Sequence, residues 1–156
     1  MPLDLELLRK TDLFKGLSKE DLGKITGISA KEAFEQGKQI FAEGDKGDRF
    51  YLILSGEVRI SKIIPGVGEE ALKVLKKGDY FGEMSLIDEE PRSAYAIANS
   101  NVELLVIDKH DFGKLLEEDK ELAYKLLWSL VRTLSQRLRE TNEKIKGFFV
   151  MTGPFK

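Results

Sequence analysis

Between Lys31 and Ile107, short runs of β-branched and aromatic residues alternate with glycine turns at Gly37, Gly44-Asp45, Gly47-Asp48, Gly56, Gly66, Gly68 and Gly78-Asp79. That rhythm predicts many short strands folded into a sandwich or barrel. Phe50-Tyr51-Leu52-Ile53-Leu54 is almost wholly apolar and reads as a strand covered on both faces. After Ser55-Gly56-Glu57, the run Val58 to Ile63 alternates apolar and polar residues, so one side faces water. Ala71 to Leu75, Tyr95 to Ala98 and Val102 to Ile107 read as further strands, the last two divided by Asn99-Ser100-Asn101.

The flanks have a different period. Residues 3 to 9 have helical composition, and residues 13 to 17 break it. Ser18 then has the chemistry of an N-cap, with Asp21 at the capping-box position and Leu22 and Ile25 facing inward until Gly27. Downstream, Asp108 or Asp111 opens a helical region. Glu117-Glu118-Asp119 interrupts it, and a long helix is predicted from about Glu121 to Phe148. Tyr124, Leu127, Val131, Leu134, Leu138, Thr141, Ile145 and Phe148 follow one another at alternating spacings of three and four, the seam of a coiled coil. Leu122, Leu126 and Leu130 form a second row one side round. Two apolar rows suit a helix that covers its own domain with one and pairs with a second copy through the other. A homodimer through Leu127, Val131, Leu134, Leu138 and Ile145 is therefore expected; the alternative lays the seam on the chain's own strands.

Composition narrows the class. The 156 residues suit one domain, with an N-terminal helical unit over 1–30, strands over 31–107 and C-terminal helices over 108–150. No apolar run is long enough to span a bilayer, and the N-terminus lacks a signal peptide's basic start and apolar middle, so a cytoplasmic protein is expected. Zero cysteines exclude disulfides, and one histidine, His110 at a predicted helix start, cannot build a metal site alone. The net charge of −2 gives no global attraction to nucleic acid. No nucleophile–base pair, metal cluster or opposed carboxylate pair stands out; Glu89-Glu90 are adjacent and point apart. Enzymatic activity is not expected, nor is a metal or cofactor.

The chemistry gathers between Gly78 and Ala96. Gly82 precedes Glu83 to Leu86, a segment suited to one helical turn whose first amides lack internal partners and suit an anion. Pro91 fixes the chain before Arg92, whose guanidinium matches a phosphate in shape and charge, and Ser93 adds a hydroxyl. Glu83 would repel that phosphate, so it needs a different task; a sugar hydroxyl, which donates, fits a carboxylate acceptor. A ligand carrying phosphate and ribose side by side is the simplest answer.

Phe81-Gly82-Glu83-Met84-Ser85-Leu86 with Pro91-Arg92-Ser93-Ala94 resembles the phosphate-binding cassette of cyclic nucleotide-binding domains, the family of the bacterial catabolite activator protein and the protein kinase A regulatory subunit. The resemblance implies a mainly β, α+β fold: an eight-stranded β-roll of jelly-roll type with N-terminal helices and a long C-terminal helix. It implies a cAMP or cGMP ligand, with Arg92 clamping the cyclic phosphate, Glu83 holding the ribose 2′-hydroxyl, and amides from Gly82 through Met84 to Ser85, with Ser93, completing the cradle. Leu72, on the strand leading to the cassette, is a candidate for the wall against which the base packs or for ordinary core. Arg139 to Lys144 is similar to the family helix in which a threonine and a following serine reach adenine. Thr141 falls on the threonine and Asn142 on the serine, a match that favours cAMP over cGMP while leaving the Asn142 geometry open. A regulatory module that signals through its C-terminal helix and dimer interface follows, acting on an unidentified effector without contacting nucleic acid or membrane. A ligand-independent dimerising scaffold, and a piece of a transcription regulator whose DNA-reading domain does not fit in the ten residues from Gly147, are the competing readings.

Overall fold

The computed structural model describes residues 2–153; Met1 and residues 154–156, the last of the predicted tail, lie outside them. Helix α1 (Pro2–Lys10), a 3-10 turn (Asp12–Phe14) and α2 (Lys19–Gly27) precede eight strands. These are β1 (Ser29–Phe34), β2 (Gln39–Phe41), β3 (Arg49–Ser55), β4 (Val58–Ile64), β5 (Gly68–Leu75), β6 (Tyr80–Phe81), β7 (Tyr95–Ala98) and β8 (Val102–Asp108). A 3-10 turn at Glu83–Leu86 separates β6 from β7, and α3 (Lys109–Glu118) and α4 (Lys120–Thr152) follow. The expected capping box is present: the Asp21 amide donates to Ser18 Oγ and the Ser18 amide to Asp21 Oδ2. Asp108 caps α3 and Asp119 caps α4, which explains the interruption at residues 117–119.

The strands form two antiparallel sheets of four, ordered β1-β8-β3-β6 and β2-β7-β4-β5. Their facing sides enclose one core, containing Tyr51, Ile53, Val58, Phe81, Leu104 and Val106. The outer side of the first sheet carries a second core, in which Phe50, Leu52, Leu105 and Ile107 meet Phe14, Leu22, Ile25, Phe112 and Leu126 from the helices. Strand β3 is central to its sheet, with alternate residues in the two cores, so a run without polar interruption is what its two covered faces require.

Strand β5 is not the core element its apolar residues allowed. It pairs only with β4, at the edge of its sheet, and Leu72 and Val74 remain 59% and 44% exposed. Its hairpin with β4 is stapled by polar groups instead. Arg59 donates from Nε and Nη2 to the Glu69 carboxylate at 2.6 and 3.2 Å, and the buried Ser61 hydroxyl donates to Glu69 Oε2 at 2.7 Å.

The two leucine rows of α4 separate as expected. Leu122, Leu126 and Leu130 are at most 2% exposed, whereas Tyr124, Leu127, Val131, Leu138, Ile145 and Phe148 are 44–66% exposed. The fully buried row ends at Leu130; Thr133, Leu134 and Arg137 are half-buried, and residues 138–148 are exposed.

The hydrogen bonds from Arg59 and Ser61 hold the Glu69 carboxyl down to about 2, below its ordinary 4.5. A carboxylate whose value falls on folding stabilises above its unfolded value and loses that contribution as pH falls toward the folded one. The stability difference between wild type and Glu69→Gln in urea denaturation is therefore expected to be full near neutral pH and to shrink from about pH 4.5 toward about pH 2. Because the pair is solvent-facing, that difference should be about 0.2–1 kcal/mol.

Candidate functional site

Arg92 is the only arginine buried to 7% exposure among the described residues. Its backbone is clamped to the loop between β2 and β3: its amide donates to the Asp45 carbonyl and its carbonyl accepts from the Gly44 amide, both at 2.8 Å. The guanidinium lies over the Phe41 ring, 4.1 Å from the centroid, with the Tyr51 ring 5.8 Å away. Nη1 donates to Ser85 Oγ at 2.7 Å and Nη2 to the Arg49 carbonyl at 2.8 Å. Nε is buried and has no hydrogen-bond partner. Burial pushes the guanidinium below its ordinary value, while Tyr51, Asp48 and Asp45 oppose the shift. An anion at this point would satisfy the orphaned donor and favour the charged form.

The chain approaches this guanidinium closely enough to require glycine twice. Gly82 adopts φ +79°, and a Cβ there would lie 2.8 Å from both the Arg49 carbonyl oxygen and Arg92 Nη1. Gly47 has no unusual φ, yet its Cβ would sit 2.4 Å from Ser85 Oγ and 3.3 Å from the Glu90 carbonyl. Gly82 stands where the motif placed it. Gly47, which reads as an ordinary turn residue, is needed for close contact with the cassette.

Glu83 opens the 3-10 turn and is buried to 5% exposure, with a partner that motif reading missed: Arg137 of α4, whose Nη1 bonds its Oε1. Arg137 also lies 5.3 Å above the Tyr80 ring. The ion pair ties the long helix to the cassette, and a buried carboxylate is tolerable only with such a partner. The one sequence signal for it is helical spacing, since Arg137 precedes Thr141 by four residues on the same face.

These groups surround a cavity of about 420 Å³, within the range of small-ligand sites. Gly82, Glu83, Met84, Ser85, Arg92 and Ser93 line one end, Leu72, Ile60 and Phe41 supply apolar wall, and Arg137 stands at the rim. Thus seven of the nine expected residues converge. Leu72 reaches the cavity because β5 is an edge strand. Thr141 and Asn142 are exposed and do not line it; they lie about one helical turn, roughly 6 Å, beyond Arg137.

The cavity thus sets a buried guanidinium and a buried carboxylate in one wall of an eight-stranded roll. The family model "Cyclic nucleotide-binding domain" matches residues 31–119, and the chain belongs to that family. It is 34% identical over 144 residues to the cGMP-dependent protein kinase egl-4 of Caenorhabditis elegans, covering 91% of this chain and 18% of the kinase. To the cyclic AMP receptor protein of Thermus thermophilus it is 36% identical over 135 residues, covering 86% of this chain and 61% of the receptor. Among solved structures, the regulatory domain of Toxoplasma gondii PKA with cAMP superposes with a TM-score of 0.67 at 31% identity, over 72% of this chain and 43% of that one. The chain thus spans less than two thirds of the length of both curated relatives. No helix among the described residues is long and apolar enough to cross a membrane.

Gly82→Ala is expected to destabilise the fold by about 1–3 kcal/mol in urea denaturation, because a left-handed φ and a backbone clash act together.

Proposed function

We propose that this chain is a non-enzymatic regulatory module that binds cAMP in preference to cGMP and reports binding through the placement of α4. The observation that carries this reading is Arg92 Nε, a buried cationic donor without a partner in the wall of a cavity of ligand size. The cyclic phosphate would take that donor, the Ser85 hydroxyl, Ser93 and the first amides of the 3-10 turn. The ribose 2′-hydroxyl would donate to Glu83, and the base would lie against Leu72.

Glu83 is also where the signal would leave the site. Its carboxylate holds Arg137, so a ligand hydroxyl arriving there changes the environment of the α4 anchor. Thr141 and Asn142, one turn on, would meet the base if the helix draws in, and the Thr141 hydroxyl supports adenine as the base. A ligand moves such an equilibrium only by its differential affinity, so a 100-fold preference between helix positions corresponds to about 2.7 kcal/mol.

The exposed row from Tyr124 to Phe148 supports a homodimer, since a contiguous apolar stripe of this length is rare on a monomer. The effector is a partner protein or a neighbouring domain, in a cytoplasmic setting, with no nucleic acid read by these residues.

Calorimetry is expected to show saturable cAMP binding, weakened roughly 30- to several-thousand-fold in Arg92→Leu, which strands a buried phosphate. A folded protein that binds neither cAMP nor cGMP at millimolar ligand would reject the reading and leave a dimerising scaffold; competition between the two nucleotides ranks them. By light scattering the protein should have twice its 17.7 kDa chain mass, and Val131→Glu should halve it.

A further inference from the structure

A larger cavity, of about 700 Å³, adjoins the nucleotide site and shares Lys73, Tyr80 and Arg137 with it. Three elements close around it: the end of α1 with the following 3-10 turn, the β5–β6 connection, and the middle of α4. Its lining carries six cationic side chains, Lys10, Lys15, Lys73, Lys77, Arg132 and Arg137, against three carboxylates, in a chain whose net charge is −2.

Of the three carboxylates only Asp12 is ion-paired; Asp79 and Glu140 accept from neutral donors and keep their charge in the groove. Asp12 pairs with Lys15 at 2.9 Å, Asp79 Oδ2 accepts the Lys76 amide at 2.9 Å, and Glu140 Oε1 accepts from Gln136 at 3.2 Å. Arg137 is held by Glu83. Lys10, Lys77 and Arg132 have no ion-paired carboxylate among the described residues, and Lys73 is attracted by Asp79 without forming a hydrogen bond to it. Partial desolvation, followed by the nearby Arg137 and Lys144, holds the Lys73 ammonium below its ordinary value, with Asp79 opposing the shift. Cations brought together this way repel one another, and an anion placed between them removes the repulsion.

The shape selects the kind of anion. The charges converge from three sides on a concave groove, which suits a small multivalent ligand better than a flat polymer or a bilayer. The groove also stays open in the proposed dimer. At 100° per residue, Ser129, Arg132, Thr133, Gln136 and Glu140 centre roughly 180° round α4 from the Val131–Leu138 seam.

We propose that this groove is a second ligand site, adjoining the cyclic nucleotide cavity at Lys73, Tyr80 and Arg137 but not including Arg92, that takes a linear oligophosphate, either free or as the phosphate tail of a nucleotide. Lys73 and Lys77 would hold one end and Arg132 the other, with Lys10 closing over it.

The protein carries its own reporter. Trp128, its single tryptophan, has the Arg132 guanidinium 5.4 Å from its ring centroid. An anion that engages Arg132 changes this contact and, with it, the indole emission.

The test titrates inorganic tripolyphosphate, and in parallel ATP, into the full chain at about 0.15 M salt, followed by calorimetry and Trp128 fluorescence, with sulfate at matched ionic strength as reference. Saturable tripolyphosphate binding that moves the emission, that sulfate does not reproduce, and that weakens about tenfold or more in Lys77→Gln/Arg132→Gln supports the site. Equal affinity for ATP would identify the phosphate chain as the whole ligand, and tighter ATP binding would extend the site to a nucleoside. Arg92→Leu should leave tripolyphosphate binding unchanged while abolishing that of cAMP, so the two sites succeed or fail separately. The assignment is overturned by absence of saturable tripolyphosphate binding in the wild type, by equal affinity in the double variant, or by loss of binding in Arg92→Leu.

Discussion

A guanidinium carried into the interior of a small β-roll is the constraint from which the rest of the structure can be reasoned. Removing such a charge from water is costly unless its donors are met. Arg92 finds the Ser85 hydroxyl, the Arg49 carbonyl and the face of Phe41, and these reach it from separate parts of the chain. Each then has to be held. The β2–β3 loop is bonded to the Arg92 backbone, the 3-10 turn is pressed close by glycines at 47 and 82, and β3 delivers both the Arg49 carbonyl and Tyr51. Around one cation, sheet, loop and turn become a single unit.

The Glu83–Arg137 ion pair has the opposite character. Glu83 and Arg137 join the cassette to a helix that also meets the domain through Leu122, Leu126 and Leu130 and through the Lys125–Asp21 ion pair. The apolar contact sets where α4 begins, and the ion pair bears on where it points. A hydrophobic row tolerates small sliding, whereas a buried carboxylate tolerates little, because losing its cation leaves an uncompensated charge. In the proposed mechanism, signal and anchor meet at one carboxylate.

Much of this was legible where the deciding interactions are local. The Ser18–Asp21 box lies within one helical turn, β3 announces its two covered faces by an unbroken apolar run, and Asp119 breaks one helix while capping the next. The cassette could be read because its chemistry sits within a dozen residues. What escaped depends on contacts across the fold. The exposure of β5 follows from its place at a sheet edge, which no residue within it encodes. Arg137 looks like one more solvated charge on a polar helix face until the roll presents Glu83 to it. Gly47 looks like any turn glycine until Ser85 is brought against it.

One dimension of α4 bears on how far a small event can travel. The helix has 33 residues, and its buried row stops at Leu130. The stretch from there to Thr152 is about 33 Å long at 1.5 Å per residue. A rod of that length would turn a tilt of about 10° at its root into a sweep of roughly 6 Å at its tip. Under the proposed mechanism, length alone would make the helix a lever with its fulcrum at the edge of the roll.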